Sequence, residues 1–193
     1  MLSELVQNKH LILASGSPRR SFFLKELGLE FETRIKEVEE SYPSHLKGKE
    51  ISEYLSKLKA APFLTELTAN DILITADTIV WLQGKALGKP KSKNEARKML
   101  KSLSNNKHEV ISSVALTTTH KQVVFSDTTK VIFKELSDKE INHYIDTYKP
   151  FDKAGAYGIQ EWLGYIGIER IEGNYFNVMG FPVQLFYEAL HQI

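Results

Sequence analysis

"LILASGSPRR", Leu11 to Arg20, runs four apolar residues into a Ser-Gly-Ser-Pro turn and two adjacent arginines. That order predicts a short buried strand, Leu11–Ala14, feeding a helix that starts near Pro18, with Ser17 as its N-cap. "SFFLKELG" continues the helix, and Gly28 supplies its stop. A strand entering a helix through a glycine-containing turn is the repeating unit of α/β folds. The same turn suits an anion. Unpaired N–H groups at a helix start carry partial positive charge, and Gly16 lets an anion approach the backbone. Arg19 and Arg20 add forked donors for phosphate oxygens. Spacing alone leaves a capped helix with two solvated arginines on equal footing.

Further along, strand-like and helical segments alternate. Phe31–Ile35 predicts a second strand, and Ile51, Tyr54, Leu55 and Leu58 recur at helical spacing across Ile51–Ala61, where Pro62 should end or kink the helix. "DILITADTIVWL", Asp71–Leu82, is rich in β-branched residues and reads as a strand interrupted by Asp77. Ser92 and Glu95 form a capping box opening the helix "NEARKMLKSLS". Glu109–Thr118 and Val123–Phe133 read as strands. Ser137 and Glu140 cap a helix reaching about Tyr148, and Pro182 stands near the start of a last one. The expectation is a mixed α/β architecture in one domain, residues 1–193, because no repeat, low-complexity tract or Pro/Gly/Ser-rich linker divides it.

Composition narrows the function. Twenty-five basic residues face 24 acidic ones for a net charge of +1, which argues against a protein that grips long nucleic acid through charge but leaves room for a single nucleotide. With no cysteine, disulfides, thiolate nucleophiles and Cys-ligated zinc are excluded. No apolar run approaches the roughly 20 residues that span a bilayer, and the N-terminus lacks a signal-peptide core, so a cytoplasmic protein is expected.

Asp77 is conspicuous because a carboxylate in so apolar a run is costly unless it is paired, binds metal or faces a cleft at a strand end. A strand-edge or turn-capping aspartate is the plainer alternative. Glu39 and Glu40 are a second acidic element, since converging carboxylates hold Mg²⁺, although such pairs are commonly solvated surface. Lys59 and Lys89 are candidate phosphate partners, each weak by itself. "GKALGKPK" imitates a phosphate-binding loop but has three residues between its glycines and Pro90 after Lys89, so that motif is rejected. "KAGAYGIQ", Lys153–Gln160, places two glycines near a flat-ligand reader, Gln160, whose amide both donates and accepts; taken alone, the segment reads better as a glycine-rich turn. The histidines form no metal motif, and no G-x-S-x-G elbow is present.

Taken in order, "LASGSPRR", "EE", "ADTIV", "GKP", "KAGAYGIQ" and "NVMGFP" closely resemble the Maf-like nucleoside triphosphate pyrophosphatases over nearly the whole chain. The resemblance implies an α/β fold with an elongated mixed sheet, two lobes and a cleft between them, often as a homodimer. It implies cleavage of a nucleoside triphosphate between its α and β phosphates, to the monophosphate and pyrophosphate. On this pattern Asp77 is the general base, and Ser15, Arg19, Arg20, Lys59 and Lys89 contact the triphosphate. Glu40 and Asp77 serve a divalent cation, Mg²⁺ or alternatively Mn²⁺. Arg19, Thr78 and Gln160 resemble the combination of the dTTP/UTP branch. The chemistry is coherent: attack on an α-phosphate needs charge neutralisation, a positioned water and a proton acceptor. An ordinary aspartate is a weak base at neutral pH, so a metal that acidifies water complements it. The chain departs from the pattern at Asn105, Ser112, Pro62 and Trp162, the last two touching pocket shape. Two other readings are action on other or modified pyrimidine triphosphates, and a nucleotide-binding regulator of septum formation with little catalysis.

Overall fold

A computed structural model describes residues 2–193. A short helix, α1 (Leu2–Leu5), precedes β1 (His10–Leu13), whose three apolar residues are buried. β1 pairs in parallel with β2 (Glu32–Thr33) and with the first part of β3 (Asp71–Leu82). Parallel neighbours need crossover connections, and helices α2 (Pro18–Glu26) and α3 (Lys49–Ala60) lie in them. The predicted strand Phe31–Ile35 shrinks to two exposed residues at the end of the sheet, because Ile35 is itself exposed and no buried face extends the pairing.

Local signals set the helix ends. α2 stops where expected: Gly28 has φ +70°, its N–H bonds the Lys25 carbonyl, and Leu29 N–H bonds the Leu24 carbonyl. Its start differs from expectation. Ser17 occupies the N-cap position, but its side chain makes no capping bond; instead Ser15 Oγ accepts from Ser17 N–H at 3.3 Å. Pro62 does not break the chain after α3. It lies in a 3₁₀ turn, Ala61–Glu66, that packs Phe63 with Ile12, Ala60 and Leu73. Ser137 and Glu140 form the full reciprocal box that opens α5 (Asp138–Tyr148). At α4 (Lys93–Leu103) only half the box forms, because the Glu95 carboxylate accepts from Lys91 N–H rather than from Ser92.

β5 (Lys107–Thr117) and β6 (Gln122–Phe133) match the predicted strands to within two residues, and α8 (Val183–Leu190) begins directly after Pro182. The sequence reading missed α1 and four further elements: β4 (Lys85–Leu87), α6 (Trp162–Gly167), β7 (Ile168–Glu172) and α7 (Tyr175–Val178). β4 folds back on β3 through Gln83 and Gly84, both with positive φ, as a two-residue hairpin requires. The result is a seven-stranded mixed sheet in the order β2-β1-β3-β5-β6-β7, with β4 beside β3 and helices around it.

The chain divides into two compact units, each assembled from separate stretches. One holds the chain up to Asp77 with Ser112–Asp127 and Gly180–Ile193; the other holds Thr78–Ile111 and Thr128–Met179. Three of the four divisions fall inside β3, β5 and β6, where no linker composition announces them; the fourth follows α7. Among the described residues, no helix is long and apolar enough to cross a membrane.

The second unit packs Leu100, Phe133, Tyr144 and Tyr157 among other buried side chains. Here "KAGAYGIQ" forms a 3₁₀ turn, Ala154–Ala156, and the loop leading to α6. Gly155 has φ +67°, and a Cβ there would meet Val80 Cγ2 at 2.8 Å, so glycine is required for both conformation and space. Tyr157 is held by His108, whose Nε2 lies 2.7 Å from the tyrosine hydroxyl. Burial lowers the His108 pKa from 6.5 to about 4. Protonation is therefore easier in the unfolded chain. Stability from this group is complete above pH 6.5 and is lost as pH falls toward 4, by up to about 3 kcal/mol. His108→Gln keeps a polar partner for Tyr157 and cannot charge. Denaturant melts at pH 7 and pH 4 should show the native chain losing about 3 kcal/mol more than H108Q; parallel losses would remove His108 as the acid-labile group.

Candidate active site

In the first unit, β1 ends at Leu13, opposite Ile74 of β3, and the chain turns through Ser15-Gly16-Ser17 into α2. The next residues of β3 after this register, Thr75, Ala76 and Asp77, are buried. Carboxyl ends of parallel strands are where α/β sheets collect ligands, since loops and helix N-termini converge there. The parallel pairing of β1 and β3 thus brings the serine-rich turn to Asp77.

Arg20 ties these segments together. Its Nη1 donates to the Ala76 carbonyl at 2.9 Å and to Ser15 Oγ at 3.0 Å, and its Nε donates to the Gly180 carbonyl at 3.1 Å. Burial pushes the guanidinium down to about 10, against the upward pull of Asp77 and Glu40, while Arg19 adds like-charge repulsion. It stays charged at neutral pH. The residue expected to touch phosphate therefore also holds three protein acceptors drawn from three parts of the chain.

Lys59, near the end of α3, stands between the two predicted metal carboxylates. Its Nζ is 2.6 Å from Asp77 Oδ1 and 3.0 Å from Glu40 Oε1. The Asp77 side chain is only 6% exposed, against 45% for Glu40, so the desolvated partner of the lysine is the aspartate. Asp77 Oδ2 is buried with no hydrogen-bond partner. A buried carboxylate oxygen left unmatched is costly, and functional sites are where such costs persist. Pro62 leaves this lysine in place, because the 3₁₀ turn begins only after Ala60.

The first unit thus gathers Ser15, Arg20, Lys59, Asp77 and Glu40, with Arg19 close enough to act on Arg20 electrostatically. Thr78, Lys89 and Gln160 belong to the second unit. Thr78 is half-buried on β3, Lys89 is exposed after β4, and Gln160 is half-buried just before α6. Among the described residues, no group of three or more His, Asp or Glu side chains forms a ready-made metal cage. Sequence reasoning missed the Gly180 carbonyl as an acceptor for Arg20. A backbone oxygen 160 residues away leaves no side-chain signature.

A cationic lysine and arginine beside a buried carboxylate with one unmatched oxygen can bind an anion and hold a water for deprotonation. A family model described as "Maf-like protein" matches residues 10–193. A dTTP/UTP pyrophosphatase of Flavobacterium johnsoniae is 55% identical over 190 residues, covering 98% of each chain. One of Christiangramia forsetii is 51% identical over 193 residues, covering 100% of this chain and 98% of the relative. Among solved structures, a Mycobacterium abscessus dITP/XTP pyrophosphatase is similar with a TM-score of 0.45 at 17% identity, covering 95% of this chain and 93% of that one. With the match running from the first residue of β1 to the C-terminus, the chain belongs to the Maf-like protein family.

Proposed function

We propose that the protein hydrolyses dTTP and UTP between the α and β phosphates, releasing the nucleoside monophosphate and pyrophosphate. The observation that carries the proposal is Asp77: a buried carboxylate with one oxygen held by Lys59 and the other unmatched, at the carboxyl end of the β1–β3 pair. The relatives' names supply the substrate class.

In this reading Asp77 Oδ2 accepts a proton from water as the water oxygen attacks the α-phosphorus. The α-phosphorus–oxygen bond to the β-phosphate breaks, and pyrophosphate leaves with the electron pair. Lys59 fixes the orientation of Asp77, so the free oxygen is presented to water rather than to the protein. Arg19, Arg20 and Lys89 neutralise the triphosphate, and the Ser15 hydroxyl hydrogen-bonds it. A divalent cation fits the residues present, because Asp77 and Glu40 lie on either side of Lys59 and together make the one- or two-carboxylate set that Mg²⁺ uses with substrate phosphates. Bound there, Mg²⁺, or Mn²⁺ in its place, would neutralise phosphate charge and acidify water. Thr78 and Arg19 are proposed to help choose the base. The Gln160 amide suits the adjoining donor and acceptor on the edge of uracil or thymine.

The test is a panel of canonical and modified nucleotides assayed for monophosphate and pyrophosphate, with Mg²⁺ and with chelator. Pyrophosphate from dTTP and UTP that disappears with chelator is expected. Release of orthophosphate instead would overturn the cleavage site, and nucleotide binding without turnover would favour a regulator.

A further inference from the structure

The residues on either side of Gln160 are held by side chains outside those already given a role, and one such side chain bonds Gln160 itself. On one flank, Gly158 N–H donates to the Tyr144 hydroxyl at 3.0 Å, and that hydroxyl donates to Glu161 Oε2. Glu161 Oε1 in turn lies 3.0 Å from the ammonium of Lys153, a lysine only 8% exposed. Glu161 N–H closes the turn onto the Gly158 carbonyl at 3.1 Å. Residues 158 and 161 are thereby fixed to each other and to α5. Desolvation and the neighbouring Glu161 carboxylate both raise the Tyr144 phenol, so it is a donor at neutral pH.

On the other flank, the first turn of α6 lies directly against the backbone of Ile159. A Cβ at Gly164 would fall 1.9 Å from the Ile159 carbonyl oxygen, a contact no side chain permits. One residue on, the Tyr165 hydroxyl donates to the carbonyl of Gln160 itself. Tyr165 is 73% exposed, so its ring gains little from burial at this position. The bond to Gln160 is the specific work its place in the fold allows. An amide can present either order of donor and acceptor by a half-turn, so its selectivity depends on how firmly the residue bearing it is placed.

We infer that Tyr165 is a positioning residue for base selection, its hydroxyl fixing the Gln160 backbone from which the amide meets the pyrimidine edge. The inference rests on the proposed base-reading role of Gln160.

Tyr165→Phe removes the hydroxyl and nothing else, on an exposed ring. The test measures kcat/KM for dTTP, UTP and CTP with Mg²⁺ in the full-length chain, alongside Gln160→Ala and thermal melts. The ratio of dTTP to CTP should fall about threefold to tenfold in Y165F, the range expected for one hydrogen bond. Its Tm should stay within about 2 °C of the native value, as for an exposed substitution. An unchanged ratio in Y165F, with Q160A shifting it, would overturn the positioning role and leave the reading of Gln160 standing. Equal losses on all three substrates, or a lowered Tm accounting for them, would make Tyr165 structural only and overturn it too. If Q160A leaves base preference intact, the reading of Gln160 fails and the inference falls with it.

Discussion

Asp77→Asn should lower kcat for pyrophosphate release from dTTP by about a thousandfold, the middle of the range for loss of a positioned general base. The substitution keeps the shape of the side chain and its bond from Lys59, but the amide cannot take a proton from water. It also removes the negative partner of a lysine whose side chain is only 18% exposed, so Lys59 leans more on Glu40 at 3.0 Å. Some stability is lost, and a melt must accompany the assay. The decisive result is a folded D77N protein that binds dTTP yet turns it over about a thousandfold more slowly. Native-like kcat in a folded D77N chain would remove Asp77 from the chemistry.

Arg20→Ala carries the largest expected loss of stability. Its guanidinium serves the Ala76 carbonyl, the Gly180 carbonyl and Ser15 Oγ, which lie on β3, before α8 and after β1. Alanine would take this donor from the two carbonyls and leave Ser15 Oγ with the Ser17 N–H alone, and each unmatched buried group costs about 1–3 kcal/mol. We expect a loss of about 3 kcal/mol, or roughly 6–12 °C in Tm for a chain of this size. Activity should fall as well, because Ser15 and the backbone beside Asp77 lose the group that positions them. Arg20→Lys should recover only part of either loss, since one ammonium cannot reproduce the planar fork on three acceptors. If R20A retains its Tm while losing kcat/KM, the arginine acts on substrate alone and the staple role is wrong.

Much of the fold was legible because it follows from local rules. The β-branched run Asp71–Leu82 became a strand with those bounds, and Gly28 and Ser137 set helix ends from backbone conformation and capping alone. The missed elements lack such marks. β4 is three residues long after a Gln-Gly turn, a weaker signal than Asn-Gly, and β7 reads "IERIE", mostly exposed, without a buried face to betray it. Expectation failed at Ser17 for a related reason. Any residue in extended backbone before Pro18 can occupy the cap position, while the hydroxyl that bonds there depends on the turn, and the turn selected Ser15.

The candidate site divides in the same way. Sequence singled out Asp77 because a carboxylate inside an apolar strand demands a partner, and it singled out Arg20 because paired arginines after a glycine turn suit an anion. What those groups touch was beyond it. Lys59 reaches Asp77 across 18 positions, and Arg20 reaches Ala76 and Gly180 across 56 and 160. By itself, then, the sequence determined the strand–turn–helix unit, the mixed α/β class and the identity of the charged groups, since each follows from short-range sterics and the cost of burying charge. Tertiary structure alone decided that Lys59 takes one oxygen of Asp77 and leaves the other unmatched, and that Arg20 is a staple. Those outcomes depend on parallel strand pairing and close packing, which join residues whose distance along the chain carries no local signal.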